Sequence, residues 1–383
     1  MTLTVRRHPS HTGLPEEVEK HSPMVLTSRQ PTDALSQPSK PMKFIQQLFD
    51  GPIDIVGDVH GEMPALESLL VRLGYDPAGR HPKGNRLVFV GDLVDRGIDS
   101  PAVVERVAEM VEAGRAQCVL GNHELNLVRG QAKEGNGWFQ SADADHDAAG
   151  GHFIASARVS DSQRKSFITW FGSLPLALER RDLRVVHACW HPESVEILRH
   201  ESRGTLEAFE ALDTELNLKL EQEGAFRQRA QELQTWKVEL SDPNAHIPLL
   251  EGIGKVDSLK QTGHPMKALT SGLERMTPAP FFATGKWRMA ERVAWWNEYD
   301  EEQAVVFGHY WRWPLAEEDA TARSRGPNLF TGYGPFEWLG PRRNALCVDW
   351  CVGVRWLERQ QMVSPHVGRI GALRWGSKEI MLD

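Results

Sequence analysis

Five stretches of this 383-residue sequence place metal-ligating or acid–base side chains directly after a short apolar run. Residues 53–56 are followed by Gly57-Asp58-Val59-His60-Gly61, residues 87–90 by Gly91-Asp92-Leu93-Val94-Asp95-Arg96-Gly97, and residues 117–120 by Gly121-Asn122-His123-Glu124. Later, Val185-Val186 ends at His187, and 305–307 ends at Gly308-His309. Carboxylate, amide oxygen and imidazole together suit borderline divalent ions such as manganese, iron or zinc, whereas an all-oxygen set points to magnesium or calcium. A carboxylate bridging two such ions holds them about 3.5–4 Å apart, the spacing that clamps the attacking and leaving oxygens of an in-line displacement. The glycine ahead of each ligand is expected to let the chain turn sharply, so that short side chains reach a shared centre.

Ligands at such spacings need strands to carry them and helices to cover the strands. Short β-rich runs occur at 53–56, 87–90, 117–120, 184–186, 304–307 and 345–348. Between them, Leu66, Leu69, Leu70 and Leu73 fall on one helical face. A second helix reads from Ser100 as N-cap and Pro101 as its first residue, through Val103, Val104, Val107, Met110 and Val111, to Gly114. Strand, helix, strand, helix, strand within about 70 residues predicts an α/β architecture with its site at strand C-termini. From about 193 to 300 the character changes. Residues 205–240 are charged and helical in period, interrupted at Gly224, and a Pro- and Gly-bearing stretch follows from 241 to 285. The first reading is an inserted helical layer with its own aromatic core. The other is a cap over the site, with Trp295, Trp296, Trp311 and Trp313 lining a cleft. Arg288, Arg292 and Lys286 are then candidates for a second phosphate contact, and His146 and His152 for a substrate contact. His191 reads either as a supporting hydrogen-bond donor or as a solvated loop residue. Residues 1–42, with six prolines and no sustained period, read as a disordered extension.

Composition narrows the class. With 44 basic and 52 acidic side chains the formal charge is −8, which argues against a stable nucleic-acid complex. The apolar runs are too short for a membrane span, and no apolar leader opens the sequence, so the cytoplasm is the expected compartment. Four Cys do not make a disulfide framework, and fifteen His leave imidazole as the abundant ligand.

The ordered set GDVHG, GDLVDRG, GNHE, a strand-end His and GH resembles the calcineurin-like metallophosphoesterases, and within them the phosphoprotein phosphatase group with its GDxHG, GDxxDRG and GNHE signature. The segments 104–129, 296–314 and 344–354 look nearer to a bacterial branch that includes symmetrical dinucleoside tetraphosphatases and the phosphatase module of polynucleotide kinase-phosphatases. The resemblance implies an α/β (α+β) fold, a four-layer αββα sandwich over residues 43–383 with a helical insert at about 193–300. It also implies two divalent metal ions, manganese first and iron or zinc otherwise. Asp58 and His60 would hold the first ion, Asp92 would bridge, and Asn122, His187 and His309 would complete the second. His123 would be the general acid held by Asp95, and Arg96 with His123 would contact the phosphoryl group. The implied reaction is hydrolysis of a phosphomonoester by a metal-bound hydroxide, with a serine/threonine protein phosphatase as the first reading. The alternative is symmetrical cleavage of dinucleoside polyphosphates or removal of nucleic-acid terminal phosphates. A third reading is a metal-binding scaffold without turnover, against which the intact His123, Asp95 and Arg96 argue. The partner is thus a phosphorylated substrate, phosphoprotein or nucleotide, with no membrane involved. The sequence departs from the family after GNHE, where Leu125 and Asn126 follow and the nearest arginine is Arg129. It departs again in Ala188-Cys189-Trp190-His191, in residues 310–314 and beside Asp349, which matches a carboxylate of that bacterial branch. These changes spare the ligands and leave the substrate open.

Overall fold

Alternate residues along the strands go to two different cores. The computed structural model describes residues 43–383 apart from 134, 141–155, 237–238, 284 and 324–325. The proposed extension 1–42, His146 and His152 lie outside the described residues. One sheet runs in the order β1 (Ile45–Gln47), β5 (Ala177–Arg180), β6 (Leu183–Val186), β9 (Ala304–Phe307), β10 (Ala345–Cys347). The other runs β12 (Glu379–Leu382), β11 (Gly371–Arg374), β2 (Ile53–Val56), β3 (Arg86–Phe89), β4 (Ala116–Cys118). Ile53, Ile55, Val88 and Val90 on the second sheet pack with Val185, Val306 and Leu346 on the first. Their neighbours in sequence, Leu87, Phe89, Val305 and Phe307, face outward into a separate core with the helices. Side chains of period two thereby glue sheet to sheet and helix to sheet, which makes the four-layer αββα sandwich. Asp54 points outward too, buried, and accepts from Tyr75 Oη at 2.8 Å and Arg374 Nε at 2.8 Å.

The strands that carry the motifs run parallel: β2, β3 and β4 in one sheet, and β6, β9 and β10 in the other. Their C-terminal ends therefore open at a common edge. Behind them, α1 (Met63–Leu73) starts with a proline and stops at Gly74, whose φ is +92°. In α2 (Ser100–Glu112) the N-cap is Asp99, not Ser100: the Asp99 carboxylate accepts from Ala102 N at 3.0 Å. Ser100 is one residue inside because its hydroxyl accepts from Asp95 N at 2.9 Å. Two further helices follow, α3 (Asn122–Val128) and α4 (Asp161–Gly172).

Between β6 and β9 lie α5 (Pro192–Arg199), α6 (Thr205–Gln222), α7 (Ala225–Trp236), α8 (Glu251–Thr262), α9 (Pro265–Ser271) and a hairpin of β7 (Glu274–Ala283) and β8 (Lys286–Arg292). Gly224, at φ +72°, separates α6 from α7 where the helical period breaks. This region has small cores of its own, one of Ile247, Leu250, Ile253 and Met289, another of Leu220, Ala225 and Val256. The chain then passes α10 (Glu317–Arg323) and α11 (Arg355–Gln360) before its last two strands. Among the described residues no helix is long and apolar enough to cross a membrane.

Candidate active site

The ligand-bearing loops converge under backbone strain. His60, Asp92, Asp95 and Arg96 hold φ of 47°, 48°, 72° and 68°, and His309 and Trp311 hold 72° and 55°. Non-glycine residues in this region cost about 1–3 kcal/mol each and persist only where surrounding contacts fix them. The expectation that the preceding glycines make the turns is met at Gly91, at φ +96°. Gly121 and Gly308 serve differently: a Cβ at either would collide with a carboxylate, that of Asp92 or of Asp58. Glycine there lets the chain come against a ligand rather than bend.

Glu124 pins the strained loops. Its carboxylate accepts from Asp92 N at 3.0 Å, Leu93 N at 2.8 Å and Gly121 N at 3.1 Å, tying the loop after β3 to the one after β4. The backbone of Asp92 also accepts from Val59 N and His60 N, at 3.0 and 2.9 Å. In the sequence Glu124 is only the last residue of its motif, with no role of its own implied. The residue that signals this role is a buried acid beside three loop N–H groups, visible only once the loops are folded.

At the centre, Asp92 is shared by two clusters, His60–Asp92–His123 and Asp92–His187–His309, whose ligand atoms lie within 4.8 Å of one another in each. His187 Nε2 is 3.3 Å from Asp92 Oδ1 and 3.2 Å from Asn122 Oδ1. Asp58 Oδ2 is 4.0 Å from His60 Nε2 and accepts from His309 N at 3.2 Å. All six expected ligands are therefore brought together. Burial would raise the Asp92 carboxyl, but the imidazoles of His187, His123 and His60 hold it well below the usual carboxylate range. Burial, then the charges of Asp349 and Asp92, push Asp58 up. Burial, aided by Arg96, pushes His60 down, and burial with Arg292 does the same to His309.

The residues fit a pair of cations. His60 Nδ1 donates to Val94 O at 3.0 Å and His187 Nδ1 to Val90 O at 2.7 Å, which turns each Nε2 into the cluster. Burial opposes the charged form of His187, but the Asp92 carboxylate beside Nε2 outweighs it and raises this imidazole. His309 Nε2 is buried with no hydrogen-bond partner among the described residues. Clustered acids, imidazoles whose Nε2 atoms face inward and an orphaned imidazole nitrogen make a donor set that suits cations.

Around this centre, His123 Nδ1 lies 2.5 Å from Asp95 Oδ2, and Asp95 Oδ1 accepts from Trp138 Nε1 at 2.6 Å. Burial opposes the charged imidazole, but Asp92 and Asp95 outweigh it and raise His123. Arg96 places Nη2 3.4 Å from His123 Nε2 and Nη1 3.5 Å from His60 Nε2. Its guanidinium lies 4.7 Å from the Trp311 ring centroid. Trp138 is a contributor that no motif announced, whereas Trp311 lies where the cap reading expects it, beside the cleft. Asp349 accepts from Trp311 N at 2.7 Å and Cys351 N at 2.9 Å, and so holds the turn after His309.

Beside Arg96 opens a cleft of about 320 Å3, lined from the hairpin by Phe281, Arg288 and Arg292 and from the opposite side by Trp311 and Trp313. Lys286 is exposed and is not among the lining residues. Trp295 and Trp296, expected in the cleft, are buried instead against Phe307. His191 Nδ1 sits 2.7 Å from Ser194 Oγ at the start of α5. All four Cys are buried and free.

The calcineurin-like phosphoesterase profile matches residues 51–312, two thirds of the chain. The chain belongs to the calcineurin-like phosphoesterases. An asymmetrical bis(5'-nucleosyl)-tetraphosphatase PrpE of Oceanobacillus iheyensis is 33% identical over 139 residues, 36% of this chain and 54% of that protein. A symmetrical bis(5'-nucleosyl)-tetraphosphatase of Ralstonia nicotianae is 42% identical over 77 residues, 20% of this chain and 24% of that one. The chain thus spans about half the length, or less, of these relatives. A cold-active protein-tyrosine phosphatase structure from Shewanella sp. superposes with a TM-score of 0.41 at 14% identity, covering 92% of this chain and 88% of that one.

In this calcineurin-like phosphoesterase the departures from the motif pattern leave the six ligand positions themselves unchanged. Arg129 stacks 3.7 Å over the Phe209 ring centroid of α6. Trp311 and Trp313 line the cleft, and Arg312 is buried, donating to Gly334 O at 2.6 Å and Glu337 O at 2.7 Å.

Proposed function

We propose that this chain hydrolyses phosphoric esters on two divalent ions held by Asp58, His60, Asp92, Asn122, His187 and His309, with manganese as the first candidate and iron or zinc next. What carries the reading is the single buried carboxylate, Asp92, common to two groups of potential ligands. The bound ions supply positive charge that polarises the phosphoryl group and lowers the pKa of water. Arg96 offers a planar fork to the phosphoryl oxygens, braced on the face of Trp311. In the reaction, a water oxygen bonds to phosphorus, the P–O bond to the leaving group breaks, and the second water proton passes to solvent. His123 Nε2 gives its proton to the leaving oxygen, and Asp95 holds the ring by Nδ1. The segment between β6 and β9 is the cap of a catalytic domain spanning 43–383.

Of the two substrate readings, phosphoprotein and nucleotide, we favour the nucleotide. The walled cleft beside Arg96 supports it, as do the names of the relatives. The test assays the manganese-loaded protein on p-nitrophenyl phosphate, a phosphoserine peptide and diadenosine tetraphosphate, with Asp92→Asn and His123→Asn alongside. Turnover led by diadenosine tetraphosphate and lost in both variants is the expected result; equal rates in wild type and variants would remove the site assignment.

A further inference from the structure

The hydrolytic residues leave the cleft of about 320 Å3 unexplained. That volume is near the lower end of the roughly 300–1,000 Å3 occupied by small-molecule sites, the size of one ring system with its attached groups. Its walls carry both flat rings and guanidinium groups, and Arg96, one of the lining residues, lies 4.7 Å from the Trp311 ring centroid. A phosphoryl group gripped by Arg96 therefore has its ester chain directed past Trp311 into the cleft. Four arginines, Arg96, Arg288, Arg292 and Arg323, outnumber the carboxylates Asp257, Glu274 and Glu291. Of these acids, Glu291 pairs with Arg275 at 2.9 Å, and Glu274 lies opposite Arg292 across the hairpin, its carboxyl raised by burial against the pull of Arg292. Rings and cations in one cleft of this size fit a flat aromatic group on an anionic chain better than a peptide, whose backbone needs an extended groove.

We propose that this cleft is the subsite for the group attached to the scissile phosphorus, and that it takes a nucleoside on its phosphates, the ring against Phe281 and Trp311 and the phosphates on Arg288 and Arg292. The inference rests on the phosphoesterase reading and names its substrate class.

Two measurements on the full chain test it. The first is calorimetric titration of the EDTA-treated protein with adenosine 5'-tetraphosphate. The second is steady-state kinetics of the manganese-loaded protein on diadenosine tetraphosphate, p-nitrophenyl phosphate and a phosphoserine peptide. Arg292→Glu, at the exposed end of the hairpin, and Phe281→Ala are compared with wild type. In each variant the nucleotide binds at least about ten-fold more weakly, and the kcat/KM ratio of diadenosine tetraphosphate to p-nitrophenyl phosphate falls by a similar factor, mainly through KM. Turnover of p-nitrophenyl phosphate with an unchanged ratio in both variants, or a preference for the phosphopeptide, overturns the subsite and leaves the phosphoesterase reading standing. No turnover of any ester overturns the phosphoesterase reading; unweakened nucleotide binding in the variants then overturns the subsite as well.

Discussion

Four non-glycine residues in the loops after β2 and β3 hold positive φ, whereas on the β7–β8 hairpin none does among the described residues. The loops store strain and answer it with buried acceptors, above all Glu124 and Asp95. The hairpin shifts register between Met276 and Phe281 without positive φ at a non-glycine among the described residues, leaves Met276 and Phe282 exposed, and has its chemistry in side chains. The difference separates two kinds of work. Loops that place charge on a reacting centre are fixed to within tenths of an ångström, so few residue types serve at each position. A wall that selects a leaving group tolerates many. If this contrast is right, substitutions in the loops remove turnover outright, and substitutions in the cap change preference or stability.

The largest effect is expected at His123. His123→Asn removes the proton donor and should lower kcat by about 10²–10⁴-fold, most for esters with poor leaving groups such as alkyl phosphates and least for p-nitrophenyl phosphate. Equal losses on both would place His123 outside proton transfer. Next comes Glu124→Gln, which sets an amide NH2 against the backbone donors that the carboxylate now accepts from. A loss of roughly 3–4 kcal/mol in urea unfolding is expected. A change within the error of the measurement would mean that the loops hold themselves.

The insert supplies the counterpart in His264, buried at the start of α9, whose Nδ1 accepts from Lys267 N and whose Nε2 lies 3.2 Å from Phe209 O. Burial, with Lys267 beside it, lowers its pKa to about 4 from 6.5. The unfolded chain takes up a proton below pH 6.5 that the folded chain refuses until about pH 4. Stability from this group is thus complete above pH 6.5, falls as the pH drops, and is lost by about 3 kcal/mol at pH 4. Urea unfolding of wild type and His264→Asn between pH 7.5 and 4 should show the steeper decline in wild type; parallel curves would contradict it. The smallest effect is at Met362, exposed by 89% with φ +54°. Strain there serves no site, so Met362→Gly should stabilise by about 0.5–1 kcal/mol, whereas Arg96→Gly, at a similar angle, should abolish turnover.

How much of this was legible in the sequence follows the same division. The runs at 53–56 and 304–307 become β2 and β9 with unchanged bounds, because each is buried nearly throughout and is followed by a glycine and a ligand. All nine motif residues converge, since spacing on parallel strands leaves little freedom. The hairpin was not visible. Pro278 and Pro280 read as breakers, and β7 absorbs them in an irregularity of register between Met276 and Phe281. The strands β1, β11 and β12 are three or four residues long, and β12 is half exposed, too little for an alternation to show. Nor can a pattern of tryptophans say which rings face a cavity. Trp295 and Trp296 fill a core while Trp311 and Trp313 border the cleft, a choice made by packing at a distance in sequence.

The most direct test counts ions. Chelator-stripped protein is dialysed against manganese, and bound metal per chain is measured for wild type and Asp92→Asn, with circular dichroism to confirm the fold. Two ions per wild-type chain and at most one in Asp92→Asn, with hydrolysis lost alongside, is the predicted result. A folded wild-type protein that binds no metal, or an Asp92→Asn variant that keeps both ions, would contradict the claim that one shared carboxylate organises the site.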